Sequence, residues 1–557
     1  MSYAFRRAAL VAVFGCAWVS AQTTPAAPAT QPVTPQMLLD GQKDQTKWLM
    51  FGGNYTSQRH SPLTQLTPQN VAGLVPQWIF QSGQNAPGRG FETTPIVADG
   101  VMYITGNNNH AWALDARTVR QIWHYQRTLP GGLHVCCGMV NRGFAILGDK
   151  LFMGTLDAHM VAIDRKTGME VWDSQIEEPK NGYSATAPPM VVKGKVIIGI
   201  SGGDYASRGF IDAYDAETGK RAWRFYTVPG AGEKGSETWP SPDVAKRGGG
   251  AVWAGGAYDP ALNLVYYGTG NPNPDYWGDD RAGANLYTCS LIALDADTGT
   301  LKWYHQFTPH DVHDWDSTQV PVLGDITMGG QQRKVVMFAN RNSFFYTFDR
   351  ATGKLLVGKP FTGTKWAREL DENGHPKVLD NVGSREHCLP DQRGGTNFMP
   401  PSFDPVRGLF FVTARETCVD WTYSKPVEPI QMGERVPSGG AKHFADGPAQ
   451  YSALRAIDPA TGNMKWEHRF RNYPSEVNLD LSGGVMTTAS GLALSGDNDG
   501  YLYAFDSSNG KELWRFQTGA AVWGVAPVTF MLDGAQWVVV PSGSSLTAFA
   551  VPRARQR

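Results

Sequence analysis

The sequence predicts an all-β fold, an eight-bladed β-propeller whose ring is closed by its own N- and C-terminal strands. A repeat is the first observation behind that expectation. The segments ALDARTVRQIW (113–123), AIDRKTGMEVW (162–172), AYDAETGKRAW (213–223), ALDADTGTLKW (293–303), TFDRATGKLLV (347–357), AIDPATGNMKW (456–466) and AFDSSNGKELW (504–514) share one pattern: a strand ending in Asp, a turn usually holding Thr-Gly, and a strand ending in Trp. Composition is the second: charged residues make up 18%, whereas Gly (63), Trp (18) and Tyr (20) are abundant, as in a chain of many short strands joined by tight turns.

Each part of the repeat has a physical role. The Asp carboxylate is suited to accept the N–H groups of the turn, Gly permits φ > 0, and Trp supplies a broad apolar plate. The copies recur about every 50 residues, enough for one four-stranded blade. Val119 replaces Gly in the first copy and Val357 replaces Trp in the fifth. Longer gaps follow Trp223 and Val357 and are expected to hold loops on the functional face. An eighth Trp, Trp78 in LVPQWIF, lacks a preceding strand and turn; the C-terminal SSLTAFAV is the expected partner, closing the ring and removing exposed edges.

Residues 1–21 read as a secretory signal peptide, with Arg6 and Arg7, an apolar run from Ala8 to Trp18, and Val19-Ser20-Ala21 as the cleavage site. That run is too short to span a bilayer. A rival reading is a lipoprotein signal with Cys16 after Val13-Phe14-Gly15. Residues 22–40, rich in Pro, Ala and Thr, read as a disordered tether, and 41–557 as a single propeller domain. No later segment is apolar enough to be transmembrane, so a periplasmic address is expected. A net charge of −1 with no basic block argues against nucleic acid and acidic membranes as partners.

Of the six cysteines, Cys16 leaves with the signal, and the remaining five are an odd number. Cys289 in LYTCSLIAL is the expected free, buried thiol. No CxxCH occurs, so no attached c-type haem is expected. Cys136 and Cys137 in LHVCCGMVNRG are adjacent. Their Cα atoms must lie about 3.8 Å apart, short of the roughly 4.4–6.8 Å of an ordinary disulfide. Alone, the pair suits a redox switch, a metal site or no role at all.

A propeller of this kind also suits a non-catalytic scaffold of the outer-membrane assembly type. Polar motifs separate the two readings. FETTPIV, CCGMVNRG, SGGDYASRGFIDAYDAETGKRAWRFYTVPG, GGGAVW, YDPALNLVYYGTGNPNPD, NLYTCSLIALDADTG, TPHDVHDWD, GGTNFMPPSFDP and GKELWRFQTGAAVWGVAPVTF, in this order, resemble the quinoprotein alcohol dehydrogenases, which use pyrroloquinoline quinone (PQQ) and a metal ion. The resemblance runs from Trp48 to Val551 and implies the same eight-bladed propeller.

By this resemblance, Cys136 and Cys137 form a disulfide ring over one face of PQQ, and Trp253 stacks on the other. Glu92, Arg142, Thr186, Ser201, Gly202 and Gly203 match positions around the cofactor's carboxylates and ring edge, Arg341 matches the quinone-oxygen contact, and Asn397 and Trp523 match further pocket positions. A flat polyanion needs such flat walls, cationic partners and rim donors. The implied metal ligands are Asp204, Asn271 and Asp314, oxygen donors that select a hard cation. Asp204 stands where many relatives have Glu, and His313 where Trp is usual. Asp316 matches an extra metal-binding Asp of lanthanide-using relatives; a third carboxylate suits a trivalent charge, although the residue also suits a turn cap. The metal is therefore Ca²⁺ or a trivalent lanthanide, with Asp316 favouring the latter.

The implied reaction is oxidation of a small alcohol to an aldehyde or ketone, with hydride transfer to metal-activated PQQ, Asp314 as general base and Arg341 stabilising developing negative charge. A soluble c-type cytochrome is the expected electron acceptor. A second disulfide, Cys388–Cys418, is also implied. Relatives acting on polyols, sugars or polymeric alcohols are the alternative within the class. The sequence leaves oligomeric state open, a homodimer included.

Overall fold

The structure, a computed structural model, describes residues 30–84, 90–379, 390–443, 450–470 and 482–552. The signal peptide, the start of the tether, and Cys388 lie outside the described residues.

Among the described residues, eight sheets form the blades, each with four antiparallel radial strands; in blade 7 the short strand His60–Ser61 adds a fifth, parallel to Val485–Thr488. In blade 1 these are Ile96–Ala98, Val101–Thr105, His110–Asp115 and Gln121–Gln126, running from the axis outward, and blades 2–5 and 7 repeat the order. The inner strands Val101–Thr105 and His110–Asp115 are buried at every position, whereas Gln121–Gln126 is buried only at Trp123 and Tyr125. That is the pattern of sheets sandwiched between neighbours near the axis and exposed at the rim. Blade 8 closes the ring as expected: Val75–Gln81 pairs with Ser545–Ala550, placing Trp78 opposite Ala548.

The repeat proves to be a joint between blades. Asp164 Oδ1 accepts from the N–H groups of Lys166 and Thr167 and from the Thr167 hydroxyl, and Asp115, Asp215, Asp295 and Asp349 do the same in their turns. The Trp of one blade then reaches the turn of the next. At five of these joints its indole N–H donates to the carbonyl that follows the Asp: Trp78 to Ala116, Trp123 to Arg165, Trp172 to Ala216, Trp223 to Ala296 and Trp466 to Ser507, all at 2.9–3.2 Å. Where Val357 replaces Trp, the Thr347 hydroxyl takes over and donates to Pro459 O at 2.8 Å.

The turn glycine is required twice over. Gly299 has φ +71°, and a Cβ there would lie 2.5 Å from Trp223. Gly299→Ala should therefore cost about 2–4 kcal/mol, from left-handed backbone plus overpacking, read as a lowered thermal midpoint. Val119 adopts a left-handed φ of 58° without being glycine; its side chain, like that of Trp78, packs against the core cluster that blades 8 and 1 share.

Residues 30–40 correct the expected tether. Val33 bridges Gly148, and the helix Pro35–Asp40, capped by Thr34, buries Leu38. Two apolar side chains find a groove on the propeller, so this stretch belongs to the folded body despite its Pro/Thr-rich approach. Blade 6 holds an insertion: the hairpin Val419–Tyr423/Gly439–His443 leaves between its second and third strands. No helix among the described residues is long and apolar enough to cross a membrane.

Candidate active site

Loops at one end of the ring converge on a cavity of about 180 Å³. Cys136 and Cys137, joined by a disulfide with Cα atoms 3.8 Å apart, come from the loop after Gln121–Gln126. Trp253 comes from the long loop after Arg221–Tyr226, and both it and the disulfide line the cavity. Arg142, Thr186, Ser201, Gly202, Gly203, Asp204, Asn271, Asp314, Asp316, Arg341 and Asn397 line it as well. Most residues picked from scattered motifs thus meet in one place.

Glu92 and Trp523 stand one layer back. Glu92 is 3% exposed and pairs with Arg142 at 2.7 Å, fixing a guanidinium that also donates to Thr186 Oγ1 at 2.9 Å and lies 4.9 Å from the Trp253 ring. Thr186 and Ser201 hydroxyls are 2.8 Å apart. Trp523 meets Phe398 edge-on, and Phe398 meets Trp253 the same way, each at 5.5 Å. Trp253 is locked further by its indole N–H, which donates to Asp316 Oδ2 at 3.2 Å.

Backbone constraints aim the acidic residues. Gly202 has φ +118°, and a Cβ there would lie 2.1 Å from Gly182 O, so only glycine permits the turn that presents Asp204. A Cβ on Gly270 would lie 2.6 Å from Asp316 Oδ1, which instead accepts the Asn271 N–H at 2.9 Å. Asp314 takes φ 59°, a conformation Asp tolerates better than most residues. Arg341 spans the acids: it donates to Asp314 O at 2.6 Å, Asp316 Oδ2 at 2.9 Å and Asn397 Oδ1 at 3.2 Å.

Electrostatics separate this end of the cavity from the rest. Burial, then the neighbouring Asp316, pushes Asp204 up to about 6. Burial, then Asp275, raises Asp314 well above the carboxylate range. Burial also raises Asp316, with Arg341 opposing. Crowded carboxyls of this kind are relieved by a cation, and oxygen donors without Cys or His thiolate or imidazole select a hard one. The remaining cavity fits a flat anion: a disulfide and an indole as walls, Arg142 and Arg341 as cations, and hydroxyls on the rim. Arg341 Nε is buried with no partner among the described residues, a donor that a bound anionic oxygen would satisfy.

The family model "PQQ: Glucose/ethanol/alcohol dehydrogenase, beta-propeller domain" matches residues 48–359 and 383–538. The chain belongs to this family. It is 38% identical to quinoprotein alcohol dehydrogenase PedH of Pseudomonas putida, over 92% of this chain and 88% of that one. It is 34% identical to a quinoprotein ethanol dehydrogenase of Pseudomonas putida, covering 93% and 89%. Among solved structures, quinohemoprotein alcohol dehydrogenase ADHIIG of Pseudomonas putida HK5 superposes with a TM-score of 0.85 at 33% identity, covering 95% and 85%. A europium-containing methanol dehydrogenase gives 0.85 at 29% identity, covering 92% and 100%.

This PQQ-dependent alcohol dehydrogenase has further site residues that sequence reasoning passed over. Gln392, Arg393 and Phe398 line the cavity; only their neighbourhood to Asn397 signalled them. Asp275, within the quoted NPNPD, is 4% exposed and accepts from Asn271 Nδ2 at 2.9 Å. The Tyr276 hydroxyl donates to Asp314 Oδ2 at 3.3 Å. Arg435 acts electrostatically on Asp204 and Asp275 from the inserted hairpin's loop. That loop folds over the acidic end: Gly433 N donates to Tyr205 O, Val436 N to Asp204 O, and the Ser438 hydroxyl accepts from Tyr276 N. His313 lies outside the cavity lining, stacked on Trp315 at 4.2 Å and edge-on to Trp421. Cys289 is free and buried. Cys418 is buried, while its expected partner Cys388 lies outside the described residues.

Proposed function

We propose that the protein is a periplasmic enzyme oxidising a small alcohol to an aldehyde or ketone, with electrons passed to a soluble c-type cytochrome. The observation that supports it most is the pairing of two flat walls, Cys136–Cys137 and Trp253, with an acidic end of the same cavity. Arg142, Thr186, Ser201, Arg341 and Asn397 would hold PQQ, backed by Glu92 and Trp523. Asp204, Asn271, Asp314 and Asp316 would hold the metal. Three carboxylates favour a trivalent lanthanide over Ca²⁺.

When bound, PQQ supplies a two-electron acceptor and the cation a Lewis acid. Asp314 takes the hydroxyl proton at a carboxylate oxygen. Tyr276 orients that carboxylate by donating to Oδ2. Arg341 presents guanidinium N–H groups where negative charge develops. The 424–438 loop covers the acidic end and excludes water, and its closeness to that end favours small alcohols over polymeric ones. Cys388–Cys418 would tie the base of this insertion.

The reading is tested by supplying PQQ with La³⁺ or Ca²⁺ and screening dye-linked oxidation of methanol, ethanol, longer alcohols and polyols. Turnover of alcohols dependent on both additions is expected; none in any combination refutes the proposal. Replacing Cys136 and Cys137 together by Ser removes one wall and should weaken PQQ retention by roughly tenfold or more, as loss of a stacking surface does. Unchanged retention would remove the disulfide from the site.

A further inference from the structure

Asp275 is a fourth carboxylate at the acidic end, outside the ligand set above. Its side chain is buried, with 4% exposure for the residue, and its Oδ1 accepts from Asn271 Nδ2 at 2.9 Å. Asn271 Nδ2 also donates to Pro272 O at 3.2 Å. Both amide hydrogens are therefore engaged by groups that do not line the cavity. Turning the amide over would set its oxygen against a carboxylate, acceptor against acceptor, so Asp275 holds the Asn271 carbonyl toward the cavity that Asn271 lines.

Charge gives the second line of argument. Asp204, Asp275, Asp314 and Asp316 act on one another, and two guanidinium groups oppose them, Arg341 and Arg435. Carboxyl groups outnumber guanidinium groups at this end, with Asp311 adding to those that act on Asp316. Asp275 is the strongest like charge acting on Asp314. A buried carboxylate that forms no ion pair among the described residues, and is bonded instead to a ligand's amide, adds field without occupying a coordination position. An added unit of negative field acts on a trivalent ion half as strongly again as on a divalent one.

We infer that Asp275 is a positioning residue of the metal site, orienting Asn271 and supplying the charge that makes the site prefer a trivalent over a divalent cation. The inference rests on the reading of this end of the cavity as the metal site. Its test is binding, not turnover. PQQ-loaded, metal-stripped protein is titrated calorimetrically with La³⁺ and with Ca²⁺, and the ratio of the two dissociation constants is compared between variants.

Asp275→Asn is expected to lower the La³⁺-over-Ca²⁺ preference by roughly tenfold, and Asp275→Glu, which keeps the charge, to retain most of it. Thermal unfolding checks that each variant is folded; should Asp275→Asn fail, Asp275→Ser carries the same expectation. A folded, charge-removing variant with an unchanged ratio, or with equal losses for both cations, overturns the inference while leaving the site reading intact. Wild-type protein that binds neither cation overturns both.

Discussion

Asp314→Asn is expected to lower turnover by roughly 10²–10⁴-fold, the usual contribution of a positioned general base, while PQQ and metal still bind. The amide matches the carboxylate in size and keeps an oxygen for the cation, but it cannot take the alcohol proton. The surroundings need not change. Arg341 holds this residue through its backbone oxygen at 2.6 Å, a contact the substitution leaves in place, and the Tyr276 hydroxyl can still donate to the retained oxygen. Cofactor absorbance and metal content read binding; dye-linked alcohol oxidation reads turnover. A variant that keeps wild-type rate would move the base elsewhere in the acidic cluster.

The second large effect is on stability. Arg415 is 2% exposed and forms a two-pronged pair with the buried Asp391 carboxylate, at 2.6 and 2.8 Å, and also donates to Gly394 O. Arg415→Leu takes this two-pronged pair from the buried Asp391 carboxylate and should cost about 3–5 kcal/mol, seen as a lowered thermal midpoint. Replacing Asp391 by Leu as well removes the buried carboxylate, and much of the loss should return. The pair matters beyond stability because it anchors the segment that cradles Arg341: Gly395 N donates to Arg341 O, and Arg341 donates to Gln392 O and Asn397 Oδ1. Arg415→Leu should therefore also weaken PQQ retention at temperatures where the chain is still folded. Full retention in the folded variant would restrict the pair to a scaffold role.

Much of this molecule is legible in its sequence because a propeller is a local repeat. The Asp, the Thr-Gly and the Trp act within one turn or across one blade boundary, so their spacing is preserved along the chain. Even the exceptions have local answers, Thr347 substituting for the missing Trp at Val357. The site was legible for a different reason: motifs such as CCGMVNRG, GGGAVW and HDVHDWD carry side chains whose types suit a flat anion and a hard cation. Residues recruited from within irregular loops were not. Asp275 and Tyr276 sit in a quoted motif, yet nothing in their spacing tells that one faces Asn271 and the other Asp314. Arg435 lies on an inserted hairpin with no repeat to place it. Residues 30–40 look like the end of a linker until a groove exists for Val33 and Leu38.

By itself, the sequence determined the blade count, the closure by both ends of the chain and the chemical character of the site. These depend on short-range periodicity and on residue type. Only the tertiary structure decided which carboxylates share a cavity, that Glu92 acts through Arg142, that Asp275 and Arg435 belong to the acidic end, and that a loop of blade 6 covers it. These are long-range juxtapositions between blades, set by how eight sheets close into a ring, and charges separated by many residues along the chain act on one another only once that ring has formed.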